Sequence, residues 1–135
     1  MSPFDPFVGI PYADRGRSRA GCDCYGLVWL VMRELRGIEM PAFADAYVTA
    51  ADSAFLARLI AGEVLAWDPV TLEQARPFDG VLMRRGRSLS HIGIVVEPGR
   101  LLHVDEGGES RIERYTAPPV SLCVAGFYRY REVAV

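Results

Sequence analysis

The sequence has no lysine: each of its 15 basic residues is an arginine. Arginine's planar fork suits carboxylate recognition, but the two cations are usually exchangeable at solvated sites, and no function is assigned to the bias. Charge of one sign is also missing, because the formal net charge is only -2 and acidic and basic residues are interspersed. That removes the electrostatic footprint of a nucleic-acid or anionic-membrane partner, and neither is expected. No apolar run approaches the length of about 20 residues that a membrane helix needs. Met1-Ser2-Pro3-Phe4-Asp5-Pro6 has neither the basic start nor the apolar stretch of a secretory leader, so synthesis in the cytoplasm without a signal peptide is expected. Cysteine is scarce and odd in number, three residues with Cys22 and Cys24 two apart, which is a poor disulfide framework. Repeats and low-complexity tracts are absent. What remains is 135 residues, 50% of them hydrophobic, enough for a single domain over 1–135 with one core.

Against that background one stretch stands out, Gly21-Cys22-Asp23-Cys24-Tyr25-Gly26-Leu27-Val28-Trp29-Leu30-Val31-Met32-Arg33-Glu34-Leu35-Arg36. Apolar side chains fall at 27, 28, 31, 32 and 35, with Arg33, Glu34 and Arg36 on a wet side, which is helical periodicity. Gly37 supplies the stop and Asp23 the cap. Cys24 then sits in or just before the first turn, where unpaired N–H groups and the helix dipole favour a thiolate. It is a candidate nucleophile.

The only two histidines are His91 and His103. They lie in two apolar runs, Leu89–Val96 and Arg100–Val104, separated by the turn signal Pro98-Gly99, which predicts an antiparallel hairpin. If that loop held strictly two residues, position 94 would pair with 103 and the two histidines would lie on opposite faces. Both can serve one site only if the loop is longer or a bulge intervenes, and a bulge or longer loop is predicted.

Elsewhere, residues 1–21 hold three prolines and three glycines and read as ordered loop anchored by Phe4, Phe7, Val8, Ile10 and Tyr12. Ile38 to Tyr47 is a surface connection. A second helix is expected after Asp52 or Ser53, with Phe55, Leu56, Leu59 and Ile60 on its buried side, closing near Gly62. Trp67 lies in a stretch with room for one short strand and is expected to bridge core and surface. Strands are predicted at Val81 to Arg84, Ser90 to Glu97, Arg100 to Val104, Arg111 to Tyr115 and Leu122 to Tyr130. Helices followed by strands imply an α+β domain, N-terminal helices on a C-terminal antiparallel sheet.

These residues resemble the NlpC/P60 cysteine peptidases, and within them the small phage-tail-associated members. Gly9, Pro11, Tyr12, Gly16, Gly21, Asp23, Cys24, Gly26, Leu27 and Val28 match the family's first motif. Asp79, Gly80, Val81, His91, Gly93, Ile94 and Val95 match its second, and a third polar position falls on His103. Cys22, Tyr25 and Ala13-Asp14-Arg15 depart from the usual pattern, the first read as a small packing residue. The resemblance implies a papain-like fold, Cys24 as nucleophile, His91 as base, His103 as its orienter, and Tyr12 beside the nucleophile, orienting it or helping to hold the oxyanion.

It also implies the substrate, an amide in the peptidoglycan stem peptide after a γ-linked D-glutamate and before a diamino acid, cut with no metal or organic cofactor. Gly126-Phe127-Tyr128-Arg129 resembles the closing strand of tail-associated members, so phage tail proteins are expected partners and action in a virion tail or the cell wall is expected. Alternatives stay open: an inactive tail-assembly protein on the same fold, a related acyl hydrolase, and a zinc site from Cys22, Cys24, His91 and His103. The last is disfavoured because Cys-x-Cys is tighter than the usual zinc knuckle.

Overall fold

The computed structural model describes residues 2–43 and 67–131. The helix expected between Asp52 and Gly62 lies outside the described residues. Asp23 caps a helix α1, Cys24–Arg36, by accepting a hydrogen bond from the Gly26 amide, and Gly37 ends it in the left-handed region at φ 66°. Leu27, Val28, Val31 and Met32 are fully buried, whereas Arg33, Glu34 and Arg36 are exposed, as the periodicity predicts. Before it, Asp5–Phe7 forms one 3-10 turn and the two-residue strands β1 (Arg17–Ser18) and β2 (Gly21–Cys22) pair antiparallel, local structure that the sequence did not announce. Phe4, Phe7 and Ile10 anchor this segment in the core, but Val8 is exposed.

The C-terminal part is a six-stranded antiparallel sheet of β3 (Trp67–Val70), β4 (Gly80–Arg85), β5 (Ser88–Glu97), β6 (Arg100–His103), β7 (Arg111–Arg114) and β8 (Val124–Tyr130), in the order β3-β8-β4-β5-β6-β7. The molecule is therefore α+β, a helix packed on an antiparallel sheet. Alternation sorts the side chains: Leu82, Ile92, Ile94 and Leu102 join α1 in one core. Val81, Met83, Val95, Leu101 and Phe127 form a second core on the other face, closed by Tyr115 and Val120. Trp67 belongs to the first core at 2% exposure, its ring tilted against that of Tyr130 with centroids 5.3 Å apart, so it does not bridge to the surface; its indole N–H finds no partner among the described residues.

Asp79, just before β4, is fully buried and takes two 2.8 Å hydrogen bonds from Arg129 of β8. A buried carboxylate paired with a fork-shaped cation is satisfied and directional, and here it joins the start of β4 to β8.

The predicted hairpin bulge is present. Pro98-Gly99 is a two-residue loop closed by the Glu97↔Arg100 pair, but the register shifts between Val95 and Glu97, so that Ile94 pairs with Leu102. Val96 is the extra residue, and Gly99 takes φ 94°, a region costly for any side chain. One added residue changes the parity of everything upstream. His91, paired across β4 with Met83, now shares a face with His103.

Candidate active site

The turn that carries Cys24 is held by one buried carboxylate. Asp23 accepts from the Gly26 amide at 2.7 Å, the Arg15 amide at 3.1 Å and Arg17 Nη1 at 2.9 Å. Three donors satisfy a charge that burial would otherwise make costly. Asp23 therefore acts as the cap expected from the sequence and also locks the preceding loop onto the helix. The loop lies so close that a Cβ at Gly26 would stand 2.0 Å from the Gly16 carbonyl oxygen, so residue 26 has to be glycine.

Cys24 is set beside a strand. β6 stops at His103, which leaves the edge of β5 at Ser90 and Ile92 without a β6 partner. The Cys24 thiol occupies that edge: its Sγ lies 3.9 Å from the Ser90 carbonyl oxygen and receives the backbone N–H of Ile92 as well as that of Tyr25. Only 1% of the residue is exposed. Burial, with Asp23 adding to it, pushes the thiol up to about 12 despite those two N–H groups. The expectation of a thiolate stabilised by the helix N-terminus is thus corrected: desolvation exceeds the dipole, and the resting group is a neutral thiol.

Next to it the histidines form a chain. His91 Nε2 lies 2.8 Å from His103 Nδ1, and His103 Nε2 lies 2.5 Å from Glu113 Oε2. Burial pulls His91 down to about 3 although Asp105 opposes it; burial likewise lowers His103 against its bond to Glu113. Both imidazoles are neutral at rest. A neutral imidazole and a neutral thiol that line one cleft suit general-base transfer during attack.

Gly93 lets the two rings' strands approach closely, since a Cβ there would meet the Leu102 carbonyl oxygen at 3.0 Å and His103 Cβ at 3.2 Å.

Tyr12 comes from the N-terminal segment, which is tied to the loop before β7 by Gly9 N–H to the Ser110 carbonyl at 2.8 Å and Tyr12 N–H to the Gly108 carbonyl at 2.9 Å. A cleft of about 260 Å³ results, lined by Tyr12, Cys24, Arg85, Ser90, His91, Asp105 and Glu106 among others. The Tyr12 hydroxyl donates to Asp14 Oδ1 at 3.0 Å. Burial first, and then Asp14, raises its pKa, so it stays a phenol able to donate.

Four charged residues that the sequence reading passed over complete the surroundings. Arg85 binds Asp105 through Nε at 2.9 Å and Nη2 at 3.1 Å, and Arg111 Nη2 reaches Asp105 Oδ2 at 2.9 Å while its Nε reaches Glu113 Oε2 at 3.0 Å. The alternation Arg111-Ile112-Glu113 on a strand next to His103 is the signal that could have shown the last two. His91, His103 and Asp105 place one donor atom each within 4.8 Å of one another, with neither cysteine among them. Their ring nitrogens are already hydrogen-bonded to each other and Asp105 is held by two guanidinium groups, so this trio does not suit a cation.

The structures most informative for comparison share this fold at low identity. A Bacillus cereus NlpC/P60 family protein aligns with TM-score 0.64 at 21% identity, over 92% of this chain and 36% of that one. A Staphylococcus aureus protein similar to lipoproteins of the NLP/P60 family aligns with TM-score 0.62 at 21% identity, over 92% of this chain and 37% of that one. The NlpC/p60 domain of the peptidoglycan hydrolase SagA aligns with TM-score 0.58 at 18% identity, over 91% of this chain and 88% of the domain. The chain thus spans little more than a third of the first two and nearly all of the third. A search of curated proteins finds no match. The sequence model of the NlpC/P60 family matches residues 9–127, and the chain belongs to that family.

Proposed function

We propose that the protein is a cysteine endopeptidase that hydrolyses an amide in the stem peptide of peptidoglycan, with Cys24 as nucleophile, His91 as base and His103 as orienter. The observation that carries the reading is the placing of a buried thiol and a buried neutral imidazole in one cleft, with the imidazole hydrogen-bonded to a second one. Family membership supports a hydrolase, and the relative SagA, a peptidoglycan hydrolase, supports the wall as substrate.

The steps follow from the resting protonation. As Cys24 Sγ attacks the carbonyl carbon, its proton passes to His91, so thiolate character develops only in the transition state. The oxyanion is held by the backbone N–H of Cys24, with the Tyr12 hydroxyl as a further donor once it turns from Asp14. Collapse of the tetrahedral species breaks the C–N bond, and His91 gives its proton to the departing amine. Water then attacks the thioester, His91 taking its proton, and release of the acid restores the thiol. No cofactor enters these steps.

The bond between γ-D-glutamate and a diamino acid, action in a virion tail or at the wall, and tail proteins as partners belong to the same proposal. They rest on the resemblance of the motifs, including Gly126–Arg129. Mass spectrometry of fragments released from diaminopimelate-type peptidoglycan by wild type and Cys24→Ser, under reducing conditions, tests it. Stem fragments ending at glutamate are expected from wild type alone. Equal release by both proteins would remove Cys24 from the mechanism, and no release by either would remove the substrate.

A further inference from the structure

Behind the two histidines the sheet carries a carboxylate. The β6–β7 register pairs His103 with Arg111 and Leu101 with Glu113, which makes Glu113 the diagonal neighbour of His103 on one face. An ionised carboxylate only accepts hydrogen bonds, so at the 2.5 Å contact with Glu113 the hydrogen sits on His103 Nε2. The neutral ring then has its lone pair on Nδ1, which must accept from His91 Nε2 across 2.8 Å. With a hydrogen on Nε2, neutral His91 is left with its lone pair on Nδ1. One carboxylate, two rings away, selects which nitrogen of the base is basic.

Given Cys24 and His91 as nucleophile and base, we infer that Glu113 is a positioning residue of the site: through His103 it sets the tautomer of His91 and stabilises the imidazolium formed when Cys24 loses its proton. The step breaks the S–H bond and forms N–H on His91 Nδ1. The positive charge is shared along the N–H···N and N–H···O bonds to Glu113, and no other reactant is required. A neutral histidine alone is a weaker partner for imidazolium than a carboxylate, and Glu113 supplies the missing anion.

The other charges around the chain do not replace it. Asp105, Arg85, His103 and Arg111 act on His91, and Glu113, Arg111 and Asp105 act on His103. Asp105 Oδ1 stands 3.6 Å from His91 Nε2, beyond hydrogen-bond reach, and accepts from Arg85 while Oδ2 accepts from Arg111. Glu113 is the anion in direct contact with the chain. Partial burial would raise its pKa, but the His103 bond and Arg111 outweigh that and keep it ionised.

Two measurements test this without any substrate. Nitrogen-15 NMR of the imidazoles in the wild-type chain should show both histidines as neutral Nε2–H tautomers; an Nδ1–H tautomer at His91 would overturn the inference. Alkylation of Cys24 by iodoacetamide, followed on its own peptide by mass spectrometry across pH, is compared for wild type, Glu113→Asp and Glu113→Gln. Glu113→Gln keeps an acceptor and loses the charge, so the rate at neutral pH should fall about tenfold. Its acid limb should move to lower pH, because without the anion His91 protonates less readily. Glu113→Asp should restore part of the rate, and an unchanged Glu113→Gln profile would overturn the inference. If alkylation responds as expected while no wall fragment is released, the substrate reading fails and the positioning role stands.

Discussion

At the scale of single residues, the site depends on a missing side chain as much as on reactive ones. Gly26→Ala would drive a methyl into the Gly16 carbonyl oxygen, 2.0 Å from where it must sit. Both atoms belong to backbone pinned by Asp23, so neither can step aside. Overpacking of this kind costs about 2–3 kcal/mol. The expected outcome is a lower Tm with slower alkylation of Cys24, because the first turn shifts with it; thermal denaturation and the alkylation rate together check both. Gly26, Asp23 and Cys24 could be read from the sequence because capping is local, a matter of three or four consecutive residues. The protonation of Cys24 could not be read, since it is set by the edge of β5, 66 residues away in the chain.

At the scale of elements, the β5–β6 hairpin decides whether the histidines meet. Val96 is the one extra residue between the Ile94↔Leu102 and Glu97↔Arg100 pairs. Deleting Val96 removes the bulge but leaves these pairs in place, so His91 and His103 keep one face and the 2.8 Å contact of their rings. The sheet should still form, since β5 and β6 keep their apolar alternation. The expected result is a folded protein by circular dichroism that retains the histidine tautomer signals and the Cys24 reactivity. Loss of both in a folded variant would mean that Val96 does more than set the register. The bulge followed from counting residues between two chemically required positions. Its location at Val96 did not, because a bulge anywhere between Ile94 and His103 would satisfy the same count.

At the scale of the whole molecule, buried ionisable groups give stability a pH window. His91 is lowered from 6.5 to about 3, so between those values the unfolded chain binds a proton that the folded one refuses. Stability therefore falls as pH drops below about 6.5. Cys22 and Cys24 are each raised from 9.0 to about 12 by burial, so above pH 9 the unfolded chain loses protons first and stability falls as pH rises. Calorimetric Tm values from pH 4 to 10 should show a plateau between roughly 6.5 and 9 with a decline on either side. Cys24→Ser should shallow the alkaline decline. A Tm that climbs steadily through pH 10 would contradict the neutral resting thiol.

Legible in the residues alone were the helix that begins at Cys24, its cap and stop, the run of short strands, the α+β class and the need for an irregular hairpin. All of these are set by local periodicity, capping and turn chemistry, which act over a few residues. Only the tertiary structure decided that Trp67 is fully interior, that the thiol rests protonated, and that Glu113, Asp105, Arg85 and Arg111 surround the histidines. Those outcomes depend on which strands become neighbours and where β6 ends, since burial and hydrogen-bonding partners are properties of the assembled sheet.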